Sequence, residues 1–141
     1  MHDEFRRRFE GASLEVLGPF SGSGPSVAEA FRRVMHVEAK PAEKIARDTP
    51  DIADKINEAW AARARNSGVL GDDGTFLVAG RLECGWVRVR LTREANIHSL
   101  HDSDGDLLFI ARSLSGYQVC AVSREGSEYW VLEEKFLPGG S

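Results

Sequence analysis

The amino-acid sequence predicts a single α+β domain: two to four N-terminal helices, then a four- or five-stranded antiparallel meander with the helices packed on one face. Three observations carry that expectation. Up to Gly68 the apolar residues recur at helical spacing, and beyond it they alternate with period two or run continuously. The later segments are joined by short turns, Gly71-Asp72-Asp73-Gly74, Asp102-Ser103-Asp104-Gly105 and Arg124-Glu125-Gly126-Ser127, which suit antiparallel neighbours better than parallel crossovers. A chain of 141 residues is one domain's worth and buries about 68–70% of its unfolded surface, so no metal or disulfide is needed to hold it. Residues 1–136 are assigned to the domain and 137–141, Leu-Pro-Gly-Gly-Ser, to a frayed tail.

The elements follow in order. Asp3 and Glu4 favour a helix N-terminus, Phe5 and Phe9 stand one turn apart, and Gly11 closes the turn. Leu14 and Val16 share one face of a short strand over Ser13–Leu17. The glycine-bearing stretch Gly18–Pro25 reads as a flexible connector, since it has no Gly-Lys-Ser/Thr ending for a phosphate and Pro25 removes an amide. Ser26 and Glu29 have capping-box spacing, and Val27, Phe31, Val34 and Met35 fall on one stripe of the helix that follows. Thr49-Pro50-Asp51 supplies cap, N1 proline and first-turn anion for a helix whose Ile52, Ile56 and Trp60 repeat every four residues, ending at Asn66-Ser67-Gly68. Strands are expected near 75–82, 86–92, 107–112, 117–123 and 128–134.

Composition bounds the function. The net charge is -4; residues 1–70 carry 11 basic and 11 acidic side chains, residues 71–141 carry 7 and 11, so the acidity belongs to the second half. Such a balance argues against a nucleic-acid partner, because phosphate affinity grows with the number of cations facing the backbone. There is no apolar run of membrane-spanning length and no secretory leader pattern, so the expected setting is cytoplasmic, without a membrane partner. Cys84 and Cys120, 36 residues apart, read as buried reduced thiols. No cofactor is expected.

Two surfaces stand out as binding candidates. In Trp86-Val87-Arg88-Val89-Arg90 the alternation places Trp86, Arg88 and Arg90 on one strand face, a composition suited to contact. The covering alternative is intramolecular, with helices over that face or the arginines paired to Glu83, Asp106 or Glu128. The acidic turns, Asp72 and Asp73, then Asp102, Asp104 and Asp106, form the second surface and call for a basic partner.

Metal and catalytic readings fare less well. If 97–101 is a strand, His98 and His101 point to opposite sides and cannot share an ion, whereas on a helix or turn they could. Counting from Asp102, the sixth and twelfth residues are Leu107 and Ser113, where a calcium loop needs Gly and Glu; no metal site is expected. The order of helices before an antiparallel sheet is similar, in architecture only, to that of small microbial ribonucleases. That likeness implies an alternative as a barnase-like hydrolase acting on RNA, with His98 as base, Arg88 and Arg90 as phosphate clamp and Glu83 or Glu128 as acid. No motif carries it. The sequence favours a non-enzymatic protein-interaction module, of the kind that includes bacterial immunity and antitoxin proteins, whose partner is another protein such as a basic toxin or enzyme. Homodimerisation through an exposed sheet face is a third arrangement.

Overall fold

Seven strands build one antiparallel sheet in the computed structural model, which describes residues 3–20, 22, 24–35, 40–79, 85–100, 107–114 and 116–136. The strands are β1 (Glu15–Pro19), β2 (Glu43–Ala46), β3 (Thr75–Ala79), β4 (Trp86–Arg90), β5 (Leu108–Arg112), β6 (Gln118–Glu125) and β7 (Glu128–Lys135). The helices are α1 (Asp3–Gly11), α2 (Val27–Val34) and α3 (Ile52–Ser67), with a 3-10 turn over Ile97–Leu100. The α+β class is as expected; the strand count, the connectivity and the helix placement are not.

The spatial order is β1-β4-β3-β5-β6-β7-β2. The first half of the chain donates both edges, β1 beside β4 and β2 beside β7, so the sheet exceeds the expected four or five strands. Nor is the second half a plain meander. After the β3–β4 hairpin the chain crosses back, and β5 pairs with β3 rather than with β4. The edges are poor templates for strand addition: β1 is interrupted by a register shift between Val16 and Gly18 and ends in Pro19, while β2 has four residues.

Helices cover both faces, which corrects the one-sided packing. On one face Phe9 of α1, Ile56, Trp60 and Ala64 of α3, and Ile97 and Leu100 of the 3-10 turn meet Val16, Phe76, Val78, Val87, Val89, Phe109, Cys120 and Val131. On the other, Val27, Ala30 and Val34 of α2 meet Leu77, Trp86, Ile110, Val119, Ala121 and Leu132. The signal for this was present in sequence. Phe76-Leu77-Val78 and Phe109-Ile110-Ala111 run apolar without alternation, as strands buried on both sides do.

Trp60 is the centre of the larger core. Its ring lies 5.2 Å from those of both Phe76 and Phe109, at interplanar angles of 50° and 78°. Its indole N–H donates to the Cys120 carbonyl at 3.2 Å. Helix α3 begins two residues later than expected: Asp51, in left-handed conformation at φ 56°, is the N-cap, and Thr49 and Pro50 precede it in a turn. The Ser26–Glu29 capping box forms as read, with Glu29 N–H donating to Ser26 Oγ at 3.1 Å and Ser26 N–H to Glu29 Oε1 at 3.2 Å. The side chain of Phe5 lies outside the described residues, as do Glu83, Cys84, His101 and the 137–141 tail.

Cys120 is a free, buried thiol. Desolvation, reinforced by the nearby Glu133 charge, raises its pKa well beyond the ordinary thiol range, so the nucleophilic thiolate is absent at neutral pH. In a Cys84→Ser background, Cys120 is expected to react with an aromatic disulfide reagent at least about 100-fold more slowly in the native protein than in denaturant. Comparable labelling rates in the two states would contradict the burial.

Candidate functional site

The binding strip does not survive as one exposed surface. Trp86 is only 5% exposed, under α2 and the approach to it, and its indole N–H donates to the Pro25 carbonyl at 2.9 Å. Arg90 pairs with Glu15 of the neighbouring edge strand at 3.0 Å. Arg88 alone of the three faces solvent freely. The covering alternative therefore holds for Trp86 and an ion pair for Arg90, but the partner is Glu15. Of the carboxylates considered, Glu128 is engaged elsewhere, and Glu83 and Asp106 lie outside the described residues.

Of the acidic turns, Asp72 and Asp73 lie among the described residues. Asp73 is occupied locally: its Oδ1 accepts from the Thr75 hydroxyl at 2.6 Å and the Thr75 N–H at 3.1 Å, and these bonds hold its carboxyl below the usual range. That local stabilisation is present above the ordinary carboxylate pKa and is lost as the pH falls through the lowered value. Asp72 is exposed beside it. Asp102, Asp104 and Asp106 lie outside the described residues. The strands that follow the two turns, β3 and β5, run antiparallel, so Thr75 and Leu108 stand at opposite ends of the sheet.

The hydrolase residues are not brought together. Arg88 and Arg90 are on β4 and Glu128 is on β7, four strand spacings away, or about 19 Å. Alternation puts these three on the α2 face, whereas His98 sits in the 3-10 turn packed with α3 on the other. There His98 Nε2 lies 3.4 Å from the Tyr129 hydroxyl, ring edge to ring face at 5.5 Å. Among the described residues no three His, Cys, Asp or Glu side chains are placed to share a metal ion.

A different surface emerges on the α2 face. The stripe read as core is rotated: Ala30 points inward with Val27 and Val34, leaving Phe31 41% and Met35 43% exposed one turn apart. The small Ala30 side chain lets the helix axis approach the sheet, and the larger neighbours are turned outward. Met35 Sδ lies 4.0 Å from Ser123 Oγ on β6, which places this end of the ridge over the β6–β7 hairpin. Ser123 is in register with Leu108 on one side and with half-buried Trp130 on the other, all on this face.

Two carboxylates complete the surface. Glu125 and Glu128 are directly opposite in the β6–β7 ladder and share the face, a like-charge pairing that destabilises a hairpin. Each is held by a donor: the Ser123 hydroxyl reaches Glu125 at 2.6 Å and the Trp130 indole N–H reaches Glu128 at 3.2 Å. The Lys44 ammonium lies 5.3 Å from the Trp130 ring centroid. The result is an apolar ridge, Phe31, Met35, Leu108 and Trp130, bordered by two carboxylates and, beside Trp130, by the Lys44 ammonium. Tyr129 and Trp130, neighbours on β7, project to opposite faces by strand alternation, whereas no local pattern marks Phe31 and Met35 as exposed.

No family model, curated protein or solved structure matches this chain. No helix among the described residues is long and apolar enough to cross a membrane.

Proposed function

We propose that this protein is a non-enzymatic interaction module that binds another protein through the α2 ridge and the β6–β7 hairpin. The observation that carries this reading is the exposure of Phe31 and Met35, one turn apart, on a helix whose apolar stripe is wider than its contact with the sheet. Aromatic residues and methionine are enriched in protein interfaces, and the flexible thioether adapts to a partner's shape. The Glu125–Glu128 pair supplies the chemistry of the partner: cationic groups would relieve a repulsion that the free protein carries in its ladder. A basic protein partner, as an inhibitor, immunity protein or antitoxin would have, fits that surface and the net charge of -4. Cytoplasmic action belongs to the same proposal.

A native pull-down with wild type and with a Phe31→Asp/Met35→Asp variant tests it. Wild type is expected to retain one near-stoichiometric basic protein, and the variant to bind it at least about 100-fold more weakly, as loss of two interface anchors does. The variant should remain folded, with some loss of Tm from the added carboxylate near Glu125, and its circular-dichroism spectrum checks this. Equal capture by both proteins, or no stoichiometric partner for wild type, would overturn the reading. Capture of a second copy of this chain would replace the basic partner with a homodimer.

A further inference from the structure

We infer that a cleft between α3 and the segment following β4 is a binding site for a small monocarboxylate with an apolar body. This inference stands apart from the α2 ridge, which lies on the other face of the sheet. The cleft encloses about 320 Å³, at the small end of the range for ligand pockets. Trp60, Leu91 and Ile97 contribute apolar lining, and Arg65, Arg93 and Glu58 contribute the charges.

The walls are fixed before any ligand arrives. Asn57 of α3 accepts from the Ile97 N–H at 2.8 Å and donates to Asn96 Oδ1 at 3.1 Å, tying the two sides together. The opposite wall is pinned to the end of α1, through Asn96 N–H on the Ala12 carbonyl at 2.9 Å and the Thr92 hydroxyl on the Ser13 carbonyl. A cleft closed by such bonds does not have to be ordered by its ligand, which removes one cost of binding.

The charges define the ligand. Among the described residues Arg6, Arg33, Arg63 and Arg90 are matched to carboxylates, whereas Arg7, Arg32, Arg47 and Arg88 stand singly at the surface. Arg65 and Arg93 take part in no ion pair among the described residues, yet both line one cleft with an apolar floor. A guanidinium fork recognises a carboxylate in bidentate geometry. Two arginines against one glutamate leave a single positive charge, which a monoanion neutralises; a dianion would meet Glu58 uncompensated.

Titration of the ¹⁵N-labelled protein with phenylacetate, phenylacetamide and phenyl phosphate tests the assignment. Phenylacetate is expected to give saturable shifts in the amides of 91–97 and 58–65, with a Kd of about 1 mM. Arg65→Gln and Arg93→Gln should each weaken it about 3- to 10-fold, and Glu58→Gln should strengthen it about 2-fold, as loss or gain of one charge contact does. The strengthening is an effect that a folding defect would not produce, and unchanged spectral dispersion verifies each variant's fold. Equal affinity for neutral phenylacetamide, a double Arg65→Gln/Arg93→Gln variant that binds like wild type, or no saturation by roughly 20 mM would overturn the site. Tighter binding of phenyl phosphate would overturn its restriction to a monoanion.

Discussion

Replacing Trp60 by alanine is expected to destabilise the protein by about 3–5 kcal/mol, enough to lower Tm by about 10 °C or more. The side chain is fully buried at the point where α3 meets the centre of the sheet, so its removal leaves a cavity between Phe76 and Phe109. It also strips the Cys120 carbonyl of the indole donor at 3.2 Å, deep in the core. Trp60→Phe separates the two contributions. It keeps most of the ring packing and loses the hydrogen bond, and should cost about 1–3 kcal/mol. Chemical denaturation of the two variants is the measurement; equal losses would mean that the hydrogen bond, rather than the ring, dominates.

The second large effect concerns Arg112, a strand residue that is only 1% exposed. Its guanidinium donates to the carbonyls of Ser113 at 3.1 Å, Pro25 at 3.3 Å and Leu114 at 3.4 Å. It also stands 5.2 Å from the Phe20 ring and 5.5 Å from that of Trp86. Burial pulls its pKa down from the usual arginine value. The side chain thereby clamps the segment leading into α2 against the β5–β6 turn and Trp86. Arg112→Ala is expected to cost about 3 kcal/mol through lost charge-assisted hydrogen bonds and packing.

Two glycines make room for that clamp. A Cβ on Gly24, at φ 112°, would come within 2.7 Å of Arg112 Nη2, and one on Gly116, at φ 94°, within 2.9 Å of the same atom. Gly24→Ala should therefore destabilise by about 2 kcal/mol or more from collision and backbone strain together. In an Arg112→Ala background the collision with the guanidinium vanishes, leaving the backbone strain and a 3.1 Å approach to Gly116 Cα. A double-mutant cycle should accordingly show coupling of about 1 kcal/mol or more, whereas strict additivity would mean that the clamp and the glycines act independently.

These features also show where sequence reading stops. The strands of the second half were legible because period two and turn chemistry are local signals, and β6 and β7 begin within one residue of expectation. β2 was not, because Glu43-Lys44-Ile45-Ala46 has little pattern of its own and becomes a strand by pairing with β7. The spacing of Val27, Phe31, Val34 and Met35 marked an amphipathic helix but could not fix its rotation, which depends on how closely Ala30 lets it approach the sheet. Trp86 and Arg112 were visible as an aromatic and a cation on strands. Their shared acceptor, the Pro25 carbonyl, lies 61 and 87 residues away, and no local pattern encodes such a contact. The stretch Gly18–Pro25, read as a flexible connector, is for that reason pinned at its end.

The candidate site was less legible than the fold. The aromatic-plus-arginine composition of β4 is the product of internal packing and an edge ion pair, while the exposed ridge consists of residues whose spacing suggested core. Of the candidates drawn from the sequence, Glu128 reappears at the ridge in a different role from the acid first considered.

The most direct test of the central claim is the amide hydrogen-exchange footprint of the captured partner on this protein. Protection is expected over residues 30–35 of α2 and its C-cap and over the 123–130 hairpin, with β1, β4 and the α3 face unchanged. Protection confined to Arg88 and the β1–β4 edge, or to the cleft beside α3, would contradict an interaction module built on the α2 ridge.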